Sequence, residues 1–335
     1  MSKPIKFLSK SGGRWSRNVQ IQIQHELCRT KATLIGGASV ASKILDNLSG
    51  DLNQLKNINI IPKLVPIVVG DVVESKIYIR HKVKAADKLG IICDVQNYSN
   101  EIRQSELLKV IKALNNDHGV HGIIVQLPLP DHIDEHVVCN AVMSTKDVDG
   151  FTSSSLGRLV QRVDSDCKFS FVPCTALAVL KILRYGIDSD FKGLNACIVG
   201  RSHNVGMPIA LTLAHDAMKG GLDMTTTICH RHTPPHKLAH ACKAADVVVA
   251  AAGVPSLISP EMVKPGAIVV DVGNNRTIDI NTGKRKLIGD VHPDVADVAG
   301  WMTPVPGGVG PCTVACLLHN TVLSAKNAIQ RNDKS

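Results

Sequence analysis

The sequence predicts a two-lobed α/β protein: an N-terminal α/β catalytic lobe, a C-terminal Rossmann-like dinucleotide-binding lobe, and a cleft between them. Three observations carry this expectation. Short β-branched runs at 63–70, 122–127 and 195–200 alternate with helical stretches, the pattern of parallel βαβ units. The alternation restarts after Lys146-Asp-Val-Asp-Gly150, dividing 335 residues into two units of ordinary domain size. One strand runs into Gly200-Arg-Ser-His-Asn-Val-Gly206, a glycine turn that opens a helix and brings backbone N–H groups close to a phosphate.

The elements follow in order. Val40, Ile44, Leu45, Leu48, Leu52 and Leu55 recur at helical spacing from Ala38 onward. A buried strand at 63–70 ends on Gly70, and a helix over 75–89 places Ile79, Val83, Ala86 and Leu89 on one side. A strand near 90–95, a helix over 103–114 and a strand at 122–127 follow, the last stopped by Pro128 and Pro130. In the second unit a helix at 175–185 precedes strands at 195–200, 224–229, 246–251 and 267–272. A helix at 206–215, a hairpin at 274–288 and a last helix at 313–329 complete the reading. The expected domains are 33–172, completed by the C-terminal helix 313–330, and 173–312.

Composition narrows the function. Apolar residues make up 44%, and aromatics only 3%, too few for a base-stacking nucleic-acid platform. No apolar run reaches the ~18 residues of a membrane span. Six of the nine net positive charges fall within residues 1–32, which hold seven bases and one acid. That basic, acid-poor leader reads as a mitochondrial transit segment, and the folded body carries too little charge for a nucleic-acid role. The ten cysteines form no C-x-x-C pair and read as free thiols of a reducing compartment.

Several residues carry chemistry. Tyr78 and Lys82 are four apart and share a helical face. A tyrosine ring covers a flat heterocycle, and a partly desolvated lysine acts as base or acid near neutral pH. An amphipathic helix with a snorkelling lysine is the blander alternative. Gln126 ends an otherwise apolar strand and is expected to face the cleft, where it donates to a substrate oxygen or holds the lysine. Asp147 and Asp149 flank a Gly-terminated turn, and a carboxylate there suits an amino-pyrimidine edge. Pro306-Gly-Gly-Val-Gly-Pro311 permits close approach of backbone to a ligand. Arg201 and Arg231 are placed to hold an anionic group beside a cofactor ribose, or are solvated arginines. His232, His236 and His240 have a metal-like spacing, but Pro234-Pro235 breaks the element and a polar helix face is favoured. Cys312 and Cys316, one turn apart, have no partner pair at ligand spacing.

Together, Tyr78-Ile-Arg-His-Lys82, Val125-Gln-Leu-Pro-Leu-Pro130, Lys146-Asp-Val-Asp-Gly150, Gly200-Arg-Ser-His-Asn-Val-Gly-Met-Pro208 and Pro304-Val-Pro-Gly-Gly-Val-Gly-Pro311 resemble the bifunctional methylenetetrahydrofolate dehydrogenase/cyclohydrolase family. They are co-linear, and the resemblance spans about 33–330. It implies catalysis by Lys82 with Gln126 and Tyr78. It also implies folate contacts from Tyr78, Lys82, Val125, Gln126, Leu127, Asp149, Pro304, Pro306, Gly307, Gly308, Val309, Gly310 and Pro311. NAD or NADP would lie against Gly200, Arg201, Ser202, Gly206, Arg231 and Asn274. The segment from Asp223 to Arg231 resembles the mitochondrial NAD-using branch, which implies magnesium on Asp223 beside inorganic phosphate held by Arg201 and Arg231. A homodimer in the mitochondrial matrix is also implied. Asn274, Cys312, Ala176 and Ser155 depart from the family pattern.

The implied reactions are oxidation of 5,10-methylenetetrahydrofolate with NAD(P)+ and hydrolysis of the methenyl product to 10-formyltetrahydrofolate. Two other readings stand beside this one: a different NAD(P)-linked oxidoreductase on the same frame, and a catalytically silent nucleotide-binding regulator.

Overall fold

In the computed structural model, which describes residues 31–71, 73–161, 171–278 and 285–332, Lys63–Val69 (β2) is the spine of a first parallel sheet. Two short strands, Ile92–Cys93 (β3) and Gln96–Tyr98 (β4), pair with one of its sides, and Gly122–Val125 (β5) with the other. The strand expected at 90–95 is therefore split at Asp94 and Val95. β2 and β5 are apolar throughout because both faces are covered. Val65, Ile67, Ile123 and Val125 face Leu107 and Ile111 of α4 (Gln104–Asn116), while Leu64 and Ile124 face the opposite layer.

The second sheet has six parallel strands in the order β1–β12–β9–β8–β6–β7. They are Thr33–Leu34 (β1), Asn195–Val199 (β6), Thr225–Cys229 (β7), Val247–Ala250 (β8), Ile268–Asp271 (β9) and Trp301–Met302 (β12). Period-2 alternation sends Ile198, Val249 and Val270 to one face and Cys197, Val199, Val248 and Val269 to the other. The chain leaves β6 for β7 on one side and returns to β8 on the other, which opens a crevice at the carboxyl ends of β6 and β8. The expected hairpin is Asn275–Ile278 (β10) against Arg285–Ile288 (β11).

The helical run predicted from Ala38 is two helices, α1 (Gly37–Asp46) and α2 (Ser49–Asn57). Further helices are α3 (Val73–Lys88), α5 (Glu135–Asn140), α6 (Ser153–Gln161), α7 (Cys174–Gly186), α8 (Gly206–Ala214), α9 (Pro235–Ala244) and α10 (Val309–Asn332). The short strands β1 and β12 and helices α5 and α6 were not foreseen. α10 starts four residues earlier than predicted, inside the glycine-rich loop. With α1 and α7 it forms one apolar layer shared by both sheets, where Leu183, Leu317, Leu318 and Val322 are at most 1% exposed. β1 enters the second sheet although it precedes the first in the chain. No helix among the described residues is long and apolar enough to cross a membrane. The basic leader, apart from Lys31 and Ala32, lies outside the described residues.

Candidate active site

β5 delivers Gln126 to the edge of the first sheet, where its N–H donates to the Ile67 carbonyl at 2.9 Å. α3 brings Lys82 over the same edge. The Lys82 ammonium donates to Gln126 Oε1 at 3.0 Å, while Gln126 Nε2 donates to the Leu127 carbonyl at 3.0 Å. An ammonium has donors only, so the amide must present its oxygen to it, and the second bond fixes that orientation. The expected meeting of Lys82 with Gln126 is thus present.

The two aspartates of the following turn divide their work. Asp147 is 4% exposed and spends both oxygens on the local fold. Oδ1 accepts from the N–H groups of Gly150 and Phe151, and Oδ2 from Thr152 N–H and the Ser155 hydroxyl at 2.7 Å. Ser155, a departure from the family pattern, is therefore a structural donor. Asp149 is left to face Lys82. Burial raises its pKa, the Lys82 ammonium holds it down, and Asp147 adds a smaller upward push. Cys174 donates to the Val148 carbonyl at 3.2 Å, and Asn320 of α10 donates to the same carbonyl at 2.9 Å.

Tyr78 lies one turn before Lys82 and is partly buried. Burial raises the pKa of its hydroxyl, against the opposing charge of Arg276. Arg276 belongs to β10, so a cation from the nucleotide lobe acts on the ring from across the cleft.

At the second sheet, Gly200 follows β6 with φ +137°, and a Cβ there would sit 2.1 Å from the Ala251 carbonyl oxygen. A Cβ on Gly206 would sit 2.2 Å from the Gly200 oxygen. Both positions require glycine. The Ser202 hydroxyl accepts from Val205 N–H at 3.2 Å and Gly206 N–H at 3.4 Å, turning the chain into α8. A turn bare of side chains at both ends and leading into a helix N-terminus fits a dinucleotide pyrophosphate. Arg201 leaves β6 and Arg231 leaves β7 at the same end of the sheet. Burial, then Arg201, His232 and Arg231, lower the His230 pKa, so these groups share one electropositive place.

Asp223 does not join them. It precedes β7 at the opposite end of the sheet, where its carbonyl accepts from Gly193 N–H and its carboxylate lies 3.8 Å from Lys192. The strand alone separates it from Arg231 by roughly 15 Å. A magnesium ion on Asp223 beside phosphate on the two arginines does not fit these positions. Among the described residues no cluster of three His, Cys, Asp or Glu is suited to a metal.

The glycine-rich loop meets α1. Gly37 N–H donates to the Gly307 carbonyl at 2.8 Å, and a Cβ on Gly37 would fall 1.7 Å from the Gly308 oxygen. Cys312, another departure, donates to the Gly37 carbonyl at 3.3 Å. Two expected folate contacts are otherwise engaged. Val125 and Val309 are 5% and 6% exposed and pack in the core, which leaves only their backbone for a ligand. Leu127 packs partly against the same core as Val125. Pro304, Gly308 and Pro311 lie in the loop between β12 and the first turn of α10, Pro306, Gly307 and Gly310 are exposed on it, and Asn274 is exposed before β10. Ala176 is buried in α7, and His236 and His240 are exposed on α9. The described cysteines are free, and Cys312 and Cys316 are buried.

Sequence reasoning missed Gly37, Arg276, Cys174 and two buried carboxylates, Asp271 and Asp290. Burial raises the Asp271 carboxyl to about 6 against three backbone N–H donors. Only the glycine pair at 36–37 and the Asp271-Val-Gly motif signalled any of these, and neither has a distinctive spacing.

Comparison with known proteins matches residues 35–149 to the tetrahydrofolate dehydrogenase/cyclohydrolase catalytic domain and residues 173–329 to the NAD(P)-binding domain of the same family. The mitochondrial bifunctional methylenetetrahydrofolate dehydrogenase/cyclohydrolase of Drosophila melanogaster is 42% identical over 88% of this chain and 95% of its own length. The bifunctional protein FolD of Moorella thermoacetica is 43% identical over 88% of this chain and 99% of its own. The Trypanosoma brucei methylenetetrahydrofolate dehydrogenase-cyclohydrolase, solved with NADP cofactor and an inhibitor, superposes with a TM-score of 0.81 at 35% identity, covering 90% of this chain and 99% of that one. With both domains matched in order and relatives above 40% identity over most of its length, the chain belongs to the tetrahydrofolate dehydrogenase/cyclohydrolase family.

Proposed function

We propose that this protein oxidises 5,10-methylenetetrahydrofolate to the methenyl form and hydrolyses that product to 10-formyltetrahydrofolate in one cleft. The observation that carries this reading is the contact between Lys82 and Gln126 beside Asp149, on the edge that faces the nucleotide lobe. Asp149 accepts two N–H groups of the amino-pyrimidine edge, and Tyr78 lies on the pterin face. The turn 200–206 holds the pyrophosphate on backbone N–H groups, and the 304–311 loop covers folate and nicotinamide. Bound NAD(P)+ supplies the hydride acceptor. The protein's part in that step is orientation, holding the reacting carbons about 3–3.5 Å apart.

In the second reaction water adds to the methenyl carbon and loses a proton. The bond from that carbon to N5 then breaks as the carbinol O–H gives up its proton to become the formyl C=O, and N5 takes up a proton, so one proton is released overall. Lys82 Nζ moves these protons, and Gln126 keeps the amine aimed. The test is spectrophotometric assay of both reactions with NAD+ and NADP+, on wild type and Lys82→Met. Methylenetetrahydrofolate oxidation with no activity on simple hydroxy acids supports the reading. No turnover with either dinucleotide removes it.

Arg201 and Arg231 hold an anion beside the cofactor ribose without help from Asp223. Asp223→Asn is therefore expected to leave KM for NAD+ and NADP+ unchanged within twofold, whereas Arg231→Ala raises one of them at least fivefold. A large rise for Asp223→Asn would restore the metal reading. The basic leader and the mitochondrial relatives support a mitochondrial location, which import of a fusion to residues 1–32 tests. The enzyme acts as a homodimer, a reading supported by β7, which among the described residues has no strand on its outer edge and carries neither charge nor proline.

A further inference from the structure

Asp290 is 0% exposed and has no part in the chemistry above. Its Oδ2 accepts from the N–H groups of Ala252 at 2.6 Å and Gly253 at 2.9 Å, and its Oδ1 from Asn275 Nδ2 at 2.7 Å. The first two donors belong to the loop leaving β8, which with the turn leaving β6 flanks the switch-point crevice. The Ala251 carbonyl of that loop packs against Gly200, so the loop and the phosphate turn are in direct contact. The third donor begins β10, the strand that carries Arg276 toward Tyr78.

Asp271 holds this arrangement from below. Its carboxylate accepts from the N–H groups of Gly273, Asp290 and Val291 at 2.9, 3.0 and 3.0 Å, and its own N–H donates to Thr303 Oγ1 at 2.8 Å. A Cβ on Gly289 would lie 1.8 Å from Asp271 Oδ2, and one on Gly273 would lie 2.3 Å from Asp290 Oδ1. Two carboxylates thus tie together the loop after β8, the start of the hairpin and the entry to the 304–311 loop. Carboxylates kept this deep are costly unless hydrogen bonds satisfy them, and here backbone N–H groups and the Asn275 amide do so.

We propose that Asp290 is a positioning residue for the dinucleotide: its buried carboxylate sets the backbone of 251–253 against the phosphate turn and so fixes the wall of the cofactor crevice. The inference rests on the functional reading above, and the two activities of that reading separate their failures. Hydrolysis of the methenyl substrate needs no dinucleotide and uses groups of the first lobe. It serves as an internal measure of an intact molecule.

The experiment measures KM for NAD+ and NADP+, dehydrogenase kcat and methenyl hydrolysis on full-length Asp290→Ala and Asp290→Asn. Asp290→Ala is expected to raise the dinucleotide KM at least tenfold, with hydrolysis within twofold of wild type. Asp290→Asn keeps an oxygen for Ala252 and Gly253 and is expected to recover most of that loss. An unchanged dinucleotide KM, or hydrolysis falling in step with the dehydrogenase, overturns the proposal. Should Asp290→Ala fail to fold, Asn275→Ala decides, since it keeps the carboxylate but removes the amide that aims it at Ala252 and Gly253. A two- to fivefold rise in dinucleotide KM with hydrolysis preserved supports the role, and no change overturns it. Wild type lacking both activities would instead overturn the functional reading.

Discussion

On the proposed reading, the Lys82 side chain carries the difference between the two reactions. A methionine of similar length keeps the packing of the stem and removes the proton carrier. Lys82→Met is expected to lower cyclohydrolase kcat by about 10²–10⁴, the usual contribution of a positioned acid or base. Dehydrogenase activity survives in part, because orientation rather than proton transfer dominates that step. Equal loss of both rates would reassign the lysine to binding. Asp149 governs the pH response. In the proposed reading it binds the pyrimidine edge only as a carboxylate, and burial has raised its pKa above the ordinary aspartate value. As pH falls, the folded protein therefore protonates this group earlier than a solvent-exposed aspartate. KM for folate is expected to rise on an acid limb centred above pH 3.8. The Lys82 ammonium holds the carboxylate down, so Lys82→Met moves that limb, read in the surviving dehydrogenase reaction, to higher pH. A limb that ignores Lys82→Met, measured from initial rates between pH 4 and 8, refutes the assignment. The side chains with distinctive type and spacing were legible in the sequence: Tyr78, Lys82, Gln126 and Asp149. Cys174 and Asp290 were not, because their roles depend on what burial places against them.

Among the elements, the turn between β6 and α8 is the most constrained. Gly200 combines positive φ with direct contact on the Ala251 carbonyl. An alanine there incurs backbone strain of about 1–3 kcal/mol, and relief means moving the loop after β8. Gly200→Ala is expected to lower Tm by several degrees and to weaken dinucleotide binding, both readable by thermal shift with and without NADP+. An unchanged response to NADP+ would remove the turn from the cofactor site. Periodicity located most strands and helices because their apolar faces repeat at 2 or 3.6 residues. It missed β1 and β12, each two residues long, since neither is long enough to show a period. It merged α1 with α2 because Leu48 continues the apolar series through the break. The start of α10 was hidden by Gly310 and Pro311, residues that read as loop but here occupy its first turn.

For the whole molecule, sheet order decides which surface remains to be covered. β1 closes one edge of the second sheet and β7 forms the other. Thr225 N–H donates to Leu194 and the Cys229 carbonyl accepts from Gly200, so alternate residues of β7 face β6. By the same alternation, Thr226 and Ile228 direct their N–H and C=O groups away from the sheet. Soluble proteins protect such an edge with charge, proline, a bulge or a partner, and Thr-Thr-Thr-Ile-Cys supplies none of the first two. A second copy pairing along β7 satisfies the outward groups of both chains at once, as a two-fold interface requires. Thr226→Pro removes one outward N–H and leaves the bonds to β6 in place, a position a strand tolerates. The variant is expected to sediment as a monomer with its methenyl hydrolysis retained, while wild type sediments as a dimer. A wild-type monomer, or a Thr226→Pro dimer of unchanged affinity, would place the interface elsewhere.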